Sequence, residues 1–518
     1  MADDIAATTT AGEDERRLHE LGYAQELMRR MSGFSNFAVS FTIISILSGC
    51  LTLYGFGMNT GGPAIIVWGW PIVGLFTLTV GLAMAEVCSS FPTAGGLYYW
   101  SAKLARKNGP AWSWFTGWFN FLGQVAVTAG IDFGCAFFIN AFLNLTWGVS
   151  TAHWVTILIL VIVLFVHGLM NQFGIKLVAL LNDISVWWHV VGVLVIVAAL
   201  AVIPDHHQST SFVFSKFVNN TGWGSSVYVG LIGLLLAQYT FTGYDASAHM
   251  TEETHNAAVA GPRGIVWSIV VSLIAGWILL IAVTGAIQDY EAERTAVTPG
   301  AQVFLDAVGH NGGLFLLFII VGAQFYCGMS SVTANSRMIY AFSRDGAVPG
   351  SQFWHRINPR TRTPTNSIIF ATVGAWLLGL PYLWSPVAYA AVTSIAVIGL
   401  YIAYGMPILL RLLAGEKFQR GPWHLRQWSY VVGWIAVVWI AFIAILFILP
   451  QAAPGNTLTT FNYAIVAVGV VVLYSGGYWF LSAKNWFKGP KVQGSMEELA
   501  AIERELEVVG SPAPMPSR

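Results

Sequence analysis

Charge is what this sequence lacks. Of its 518 residues only 10% are Asp, Glu, Lys or Arg while 56% are hydrophobic, too few charged side chains to clothe a water-soluble globule of that length. Lys+Arg and Asp+Glu are equal at 25 each, and no basic run offers a face for phosphates, which argues against a nucleic-acid partner. Cysteine is scarce as well. Cys50, Cys88, Cys135 and Cys327 lie far apart in apolar stretches, without a CxxC or Cys/His cluster, so neither disulfides nor a zinc centre is implied. Large aqueous loops are missing too, and with them any Gly-rich phosphate cradle, HExxH or nucleophile elbow set in a foldable domain. No enzyme, catalytic residue, metal or cofactor is expected. The opening MADDIAATTTAGEDERR has no apolar core, so no cleavable signal peptide is expected either.

What the chain has instead is apolar runs. Twelve are long enough, at roughly 20 residues or more, to span a bilayer as helices: 37–57, 65–90, 113–143, 153–171, 178–203, 227–250, 264–287, 313–342, 367–384, 387–412, 429–450 and 461–482, numbered spans 1 to 12 below. With the N-terminus inside, every Lys and Arg falls in an inside segment or at an inside helix end except Lys216 and Arg294, as the positive-inside rule demands. The expected protein is an all-α, multi-pass protein of the plasma or inner membrane with both termini cytoplasmic. HELGYAQELMRRMSGF is read as an amphipathic helix at the membrane surface. Trp68, Trp70, Trp112, Trp114, Trp118, Trp423 and Trp428, near span ends, are read as interfacial anchors.

Two spans are interrupted. Span 6 opens apolar and then admits Gln238, Thr240, Thr242, Gly243, Asp245, Ser247 and His249. Lipid offers none of these a partner, and an ionisable Asp245 inside a span points to function. Thr240 to Gly243 is therefore read as an unwound waist lining a solute site. A continuous helix whose small polar residues meet its neighbours is the plainer reading. Span 1 carries Ser45, Ser48, Gly49, Cys50 and Thr52 at the same depth. Five spans separate the two breaks, and an odd offset puts the halves in opposite orientations, the plan of many secondary transporters. The division follows: a cytoplasmic segment 1–33, a first inverted repeat 34–203, an extracellular loop 204–226, a second repeat 227–412, spans 11 and 12 within 413–487, and a cytoplasmic tail 488–518. The last two spans are read as supporting helices or an oligomer contact.

Half-helix ends expose free N–H and C=O groups, a pair that suits a zwitterion. A carboxylate would sit on amides around Ser48, Gly49 and Cys50, and an ammonium on carbonyls from Tyr239 through Thr240 and Phe241 to Thr242. Ser45, Gln124, Gly243 and Asp245 complete the expected substrate site, although Ser45 and Ser48 also fit ordinary small-residue contacts. Asn120, Gln124, Thr128 and Asp132 recur every fourth residue of span 3, so one helix face is polar and must meet protein or water. His189 is the only ionisable group in the apolar run of span 5. An imidazole changes charge most readily near neutral pH, which makes it a proton-coupling candidate, with a neutral histidine bonded to a carbonyl as the other reading. Glu86, Glu252, Arg337 and Arg344 stand at cytoplasmic helix ends as anchors or a gate-locking set.

The stretches GLAMAEVCSSFPTAGGLYYWSA, TGWFNFLGQVAVTAGIDF, LLLAQYTFTGYDASAHMTEET and CGMSSVTANSRMIYAFSRDGAVP resemble the amino acid/choline transporter family of the amino acid–polyamine–organocation superfamily. The resemblance covers spans 1 to 10, with TGYDASAHMTEET its most specific block. It implies a LeuT-type fold of five plus five inverted spans with broken helices 1 and 6. By the same likeness Tyr239 would be the aromatic gate over the substrate, and Ser48 and Gly49 would lie in the unwound part of span 1, where the superfamily's usual Gly-x-Gly is absent. His189 falls where relatives place a lysine in a vacated sodium site. The function implied is a permease for an amino acid or GABA, working by alternating access with proton coupling or exchange. Choline, ethanolamine or a polyamine is the alternative substrate, for which Tyr239, Phe241 and Tyr244 would have to form an aromatic cage. A non-transporting membrane sensor is the alternative class.

Overall fold

The computed structural model of the protein describes residues 12–384, 388–457 and 460–510. The expectations for residues 1–11, for the start of span 10 at 387 and for residues 511–518 lie outside the described residues. Within them the chain is helical, and pairing between extended segments is limited to isolated bridges. Among the described residues eleven helices are long and apolar enough to cross a membrane, and a shorter apolar helix, Ser226–Thr240, falls at span 6. The fold class expected from hydropathy is the one observed. Span 6 falls short because it breaks, as its polar residues foretell.

Span 1 runs as Gly33–Ile44, stops, and resumes as Gly49–Thr52 and Tyr54–Asn59. The stop is Ser45, whose φ of 43° and ψ of 72° are left-handed, a conformation that costs a residue with a Cβ about 1–3 kcal/mol and persists only where neighbours over-determine it. Span 6 runs as Ser226–Gly233 and Leu235–Thr240, unwinds, and resumes as Ala246–His249. Gly243 has φ 87°, which glycine alone adopts without steric cost.

Span 3 (Gly109–Trp147) is the central post, in contact with spans 4, 8, 9 and 10, while span 7 (Ala257–Gly285) lies along spans 1 and 2. Span 8, within Pro299–Arg344, begins beyond a turn at Gly309. Span 11 (Ser429–Leu446) leans on spans 10 and 2, and span 12 (Ala464–Tyr478) buries only Ala464 and Ser475.

Both described ends of the chain meet on one face, here the terminal face. The amphipathic helix expected there is not formed. Residues 12–20 are helical, but 21–31 run irregularly with Tyr23, Ala24, Leu27 and Met31 fully buried. Backbone partners explain this: Arg30 N and Met31 N donate to Glu253 O at 2.9 and 2.8 Å, and Gln493 N donates to Gly22 O at 2.9 Å. The segment is a plug under the helix ends rather than a float on the lipid. Three of the expected interfacial tryptophans, Trp70, Trp114 and Trp118, are buried as well. Trp70 donates to Leu273 O and Trp114 to Ser475 O, each at 2.9 Å.

Candidate functional site

Spans 1 and 6 cross at their breaks. A Cβ on Gly49 would stand 2.7 Å from Thr240 Cγ2, and one on Gly243 would run into Ile43 Cγ2. The first half of span 1 is also sewn to the second half of span 6. Asn36 Nδ2 donates to Ser247 O at 3.0 Å and Thr254 Oγ1 at 2.9 Å, Ser40 Oγ donates to Tyr244 O at 2.9 Å, and Ser247 N donates to Ser40 Oγ at 2.9 Å. These two half-helices therefore form one unit.

The breaks leave backbone groups open, in a shifted register. Ser48 N and Gly49 N both donate to Ser45 O, at 3.0 and 2.7 Å, so two of the three amides expected to hold a carboxylate are already used. At the two breaks the amides without a backbone acceptor are Ile46, Leu47 and Cys50 in span 1, and Thr242, Gly243, Tyr244 and Asp245 in span 6, of which Gly243 faces the Tyr404 hydroxyl. At membrane depth each open amide costs several kcal/mol unless a ligand or water meets it. Carbonyls are partly used too: Tyr239 O accepts from Thr242 Oγ1 at 2.7 Å, and Phe241 O from the Tyr401 hydroxyl at 3.2 Å.

Asp245 is spoken for. Gln124 Nε2 donates to its Oδ2 and the Tyr404 hydroxyl to its Oδ1, both at 2.7 Å, and His249 Nε2 stands 3.4 Å from Oδ2. Gln124 and Asp245 thus brace the waist against spans 3 and 10 rather than lying open to a solute. Cys50 Sγ is likewise turned back onto Ile46 O.

The three rings considered as a cage diverge. Phe241 lies 4.5 Å from Trp70 in span 2, and Tyr244 lies 5.2 Å from Tyr404 in span 10. Tyr239 points its hydroxyl at Gly130 of span 3, where a Cβ would stand 2.5 Å away. Around it gather Thr52, Gln324 and Tyr389, all against Gly134 one turn further along span 3. His189 reaches the other break: its Nε2 is 2.8 Å from Ser45 Oγ, which is 2.5 Å from Ser48 Oγ, and its Nδ1 is 2.8 Å from Ser185 O.

On the terminal face the lock residues pair, with one exception. Arg344 bonds both carboxylate oxygens of Glu252, at 3.0 and 3.2 Å, while its guanidinium lies 3.8 Å from the Tyr23 ring. Arg337 bonds Glu253 at 2.7 and 3.3 Å. Glu252 Oε1 also accepts from Ala94 N at 2.9 Å, so the loop after span 2, the end of span 6, span 8 and the plug close together. Glu86 does not belong. It pairs with Arg411 of span 10 at 3.2 Å and accepts from the Ser429 hydroxyl of span 11, which ties spans 10 and 11 to span 2.

On the opposite face a short helix, Tyr290–Thr295, caps the end of span 1. The Tyr290 hydroxyl donates to Met58 O, and Arg294 Nη1 donates to Asn59 Oδ1 at 3.1 Å. Beneath it Glu293 accepts from Gln288 N and Asp289 N. Burial pushes this carboxyl up to about 7, with Asp306 and Asp289 adding to the rise and the two N–H bonds opposing it.

Several partners escaped the sequence reading. Arg411, Tyr389 and Tyr404 carry no local signal. His167 does: it is the lone ionisable residue in the apolar VIVLFVHGLM of span 4, the same mark that singled out His189. It lies 2.9 Å from Asp132 of span 3, and both are fully buried.

Comparison with known proteins agrees with this architecture. The amino acid permease family model matches residues 31–472. The chain is 45% identical to the amino-acid permease BAT1 of Arabidopsis thaliana, over 92% of this chain and 95% of the relative. It is 32% identical to a GABA-specific permease of Saccharomyces cerevisiae, over 92% of this chain and 86% of that one.

Proposed function

The chain belongs to the amino acid permease family, and from that premise we propose that it carries an amino acid or GABA across the membrane by alternating access. It is a multi-pass membrane transporter rather than an enzyme. The observation that carries the substrate class is the crossing of spans 1 and 6, where open amides of Ile46, Leu47 and Cys50 stand beside the carbonyl-rich waist at Tyr239 to Thr242. N–H groups at a half-helix start suit a carboxylate, and carbonyls at a half-helix end suit an ammonium. Tyr239, with Tyr389 and Gln324, would close over the bound molecule.

The divergence of Tyr239, Phe241 and Tyr244 argues against a quaternary ammonium, which needs rings converging within about 6 Å. The two inverted repeats are assigned to 34–203 and 227–412. Spans 1, 2, 6 and 7 rock against 3, 4, 8 and 9. The half-helix unit of spans 1 and 6, released by parting of Glu252–Arg344 and Glu253–Arg337, opens the terminal face. That face is assigned to the cytoplasm of a plasma or inner membrane, because it gathers the basic residues. Transport is driven by protons or by exchange, with His189 the candidate that reads proton binding into the break of span 1 through Ser45. Spans 11 and 12 remain available for a partner copy.

The test is uptake of labelled GABA into vesicles containing the purified protein, competed by an amino acid panel, choline and putrescine. Amino acids or GABA compete and choline does not; competition by choline or putrescine alone would replace the amino acid reading.

A further inference from the structure

We propose that Asp132 and His167, buried together between spans 3, 4 and 8, form a second proton-binding site of the transport cycle, the proton being held on His167 Nε2. The proposal rests on the transport reading above and names one of its couplings.

The geometry fixes where the proton goes. His167 Nδ1 is 2.9 Å from Asp132 Oδ1. With Asp132 ionised its oxygen only accepts, so Nδ1 carries the hydrogen and Nε2 keeps its lone pair. Nε2 and Asp132 Oδ2 are both buried without a hydrogen-bond partner. Among the described residues the other buried ion pairs with an open valence, Glu252–Arg344 and Glu86–Arg411, are open only on the guanidinium, at Arg344 Nε and Arg411 Nη1, whereas this pair is open on both partners. Asp245 has three partners and Glu253 is bonded through both oxygens by Arg337, as expected of buried charges that serve structure. One proton moves the Asp132–His167 pair between a net charge of minus one and zero. The proposal places release of that proton at the step in which one side of the site is wetted.

The pair is also connected to the moving parts. Gly328 of span 8 presents bare backbone to it: a Cβ there would run into Asp132 Oδ1 and stand 2.6 Å from His167 Cε1. The preceding residue, Cys327, donates from Sγ to Ile43 O at 3.1 Å, and Ile43 is the residue that touches Gly243. A charge change at the pair thus reaches the crossing of spans 1 and 6 within one turn of span 8. The titratable groups facing the pair are Cys135 on span 3, Cys327 on span 8 and Tyr239 on span 6, and the Phe325 ring covers the imidazole at 4.4 Å. Thiols and phenols are ordinarily uncharged at neutral pH, so the pair sets the local charge.

The test uses the purified protein in liposomes holding a pH-sensitive dye. Exchange of labelled against unlabelled amino acid is measured first, without a proton gradient, and then the acidification of the lumen when substrate is added outside. Wild type is expected to do both. Asp132→Asn and His167→Gln should keep exchange and lose substrate-driven acidification by at least about tenfold, with exchange no longer dependent on pH. Retention of wild-type acidification by both variants overturns the proposal, as does a wild type that carries substrate without protons. A wild type that neither takes up nor exchanges any amino acid sinks the transport reading instead. Should neither variant fold, the imidazole nitrogen resonances of His167 in wild type decide: they shift on adding substrate if the proton moves, and an unchanged signal overturns the proposal.

Discussion

Gly243 of span 6 faces Ile43 of span 1 so closely that no side chain fits between them, and its φ of 87° suits no residue with a Cβ. Gly243→Ala would add a left-handed cost of about 1–2 kcal/mol to a clash at the crossing. Substrate binding should fall by at least about tenfold with the protein still inserted. Trimming Ile43 to Ala in the same chain should restore part of it by relieving the clash. Equilibrium binding of labelled substrate to the single and double variants checks this; affinity untouched by Gly243→Ala would mean that the crossing is not the site.

Arg344→Ala leaves Glu252 buried without its cation, a loss of about 3–5 kcal/mol where one partner of a buried pair is removed. The penalty falls on the closed terminal face, so opening there should become easier. Cys50, fully buried at the break of span 1, reports it. With the other three cysteines changed to Ala, maleimide labelling of Cys50 from the terminal face should speed up in Arg344→Ala. Equal rates would remove the pair from gating.

The surface of the sequence that reads clearly is the part governed by the bilayer. Apolar length gives the spans, basic residues order them, and Gly243 with Asp245 marks a helix that lipid cannot accept whole. The partners of those residues were not legible. Asp245 looks like a ligand in sequence, but it accepts hydrogen bonds from Gln124 and from Tyr404, the latter 159 positions away. Glu86 looks like Glu252, yet meets Arg411 and Ser429 because spans 10 and 11 lie beside span 2. The plug at 21–31 has the composition of a surface helix, but partners distant in sequence hold its backbone out of one, among them Glu253 O, His255 N and Gln493 N.

His189→Ala separates the two halves of coupling. Its ring bonds Ser45 and the Ser185 carbonyl, so its loss frees the break of span 1 from any protonation signal through that ring. Uptake driven by a pH gradient should drop while substrate exchange persists. Unchanged pH-driven uptake would leave His189 a structural histidine.

Glu293 gives a pH dependence on the opposite face. A carboxyl whose pKa is raised from 4.5 to about 7 on folding contributes stability that is complete below 4.5 and lost as the pH rises through about 7. The helix Tyr290–Thr295 should therefore loosen over that window, exposing the end of span 1. Hydrogen exchange of amides 288–296 should accelerate between pH 5 and 8, after correction for the intrinsic rate. Glu293→Gln should abolish the dependence, and an equal slope in wild type and variant would contradict it.

The central claim is that the molecule carried is held by the two interrupted helices together. An experimental structure with bound amino acid tests it directly. The account predicts the carboxylate within hydrogen-bond distance of the Ile46, Leu47 or Cys50 amides and the ammonium on carbonyls between Tyr239 and Thr242. Density for the amino acid elsewhere, with both breaks in contact only with protein, would contradict it.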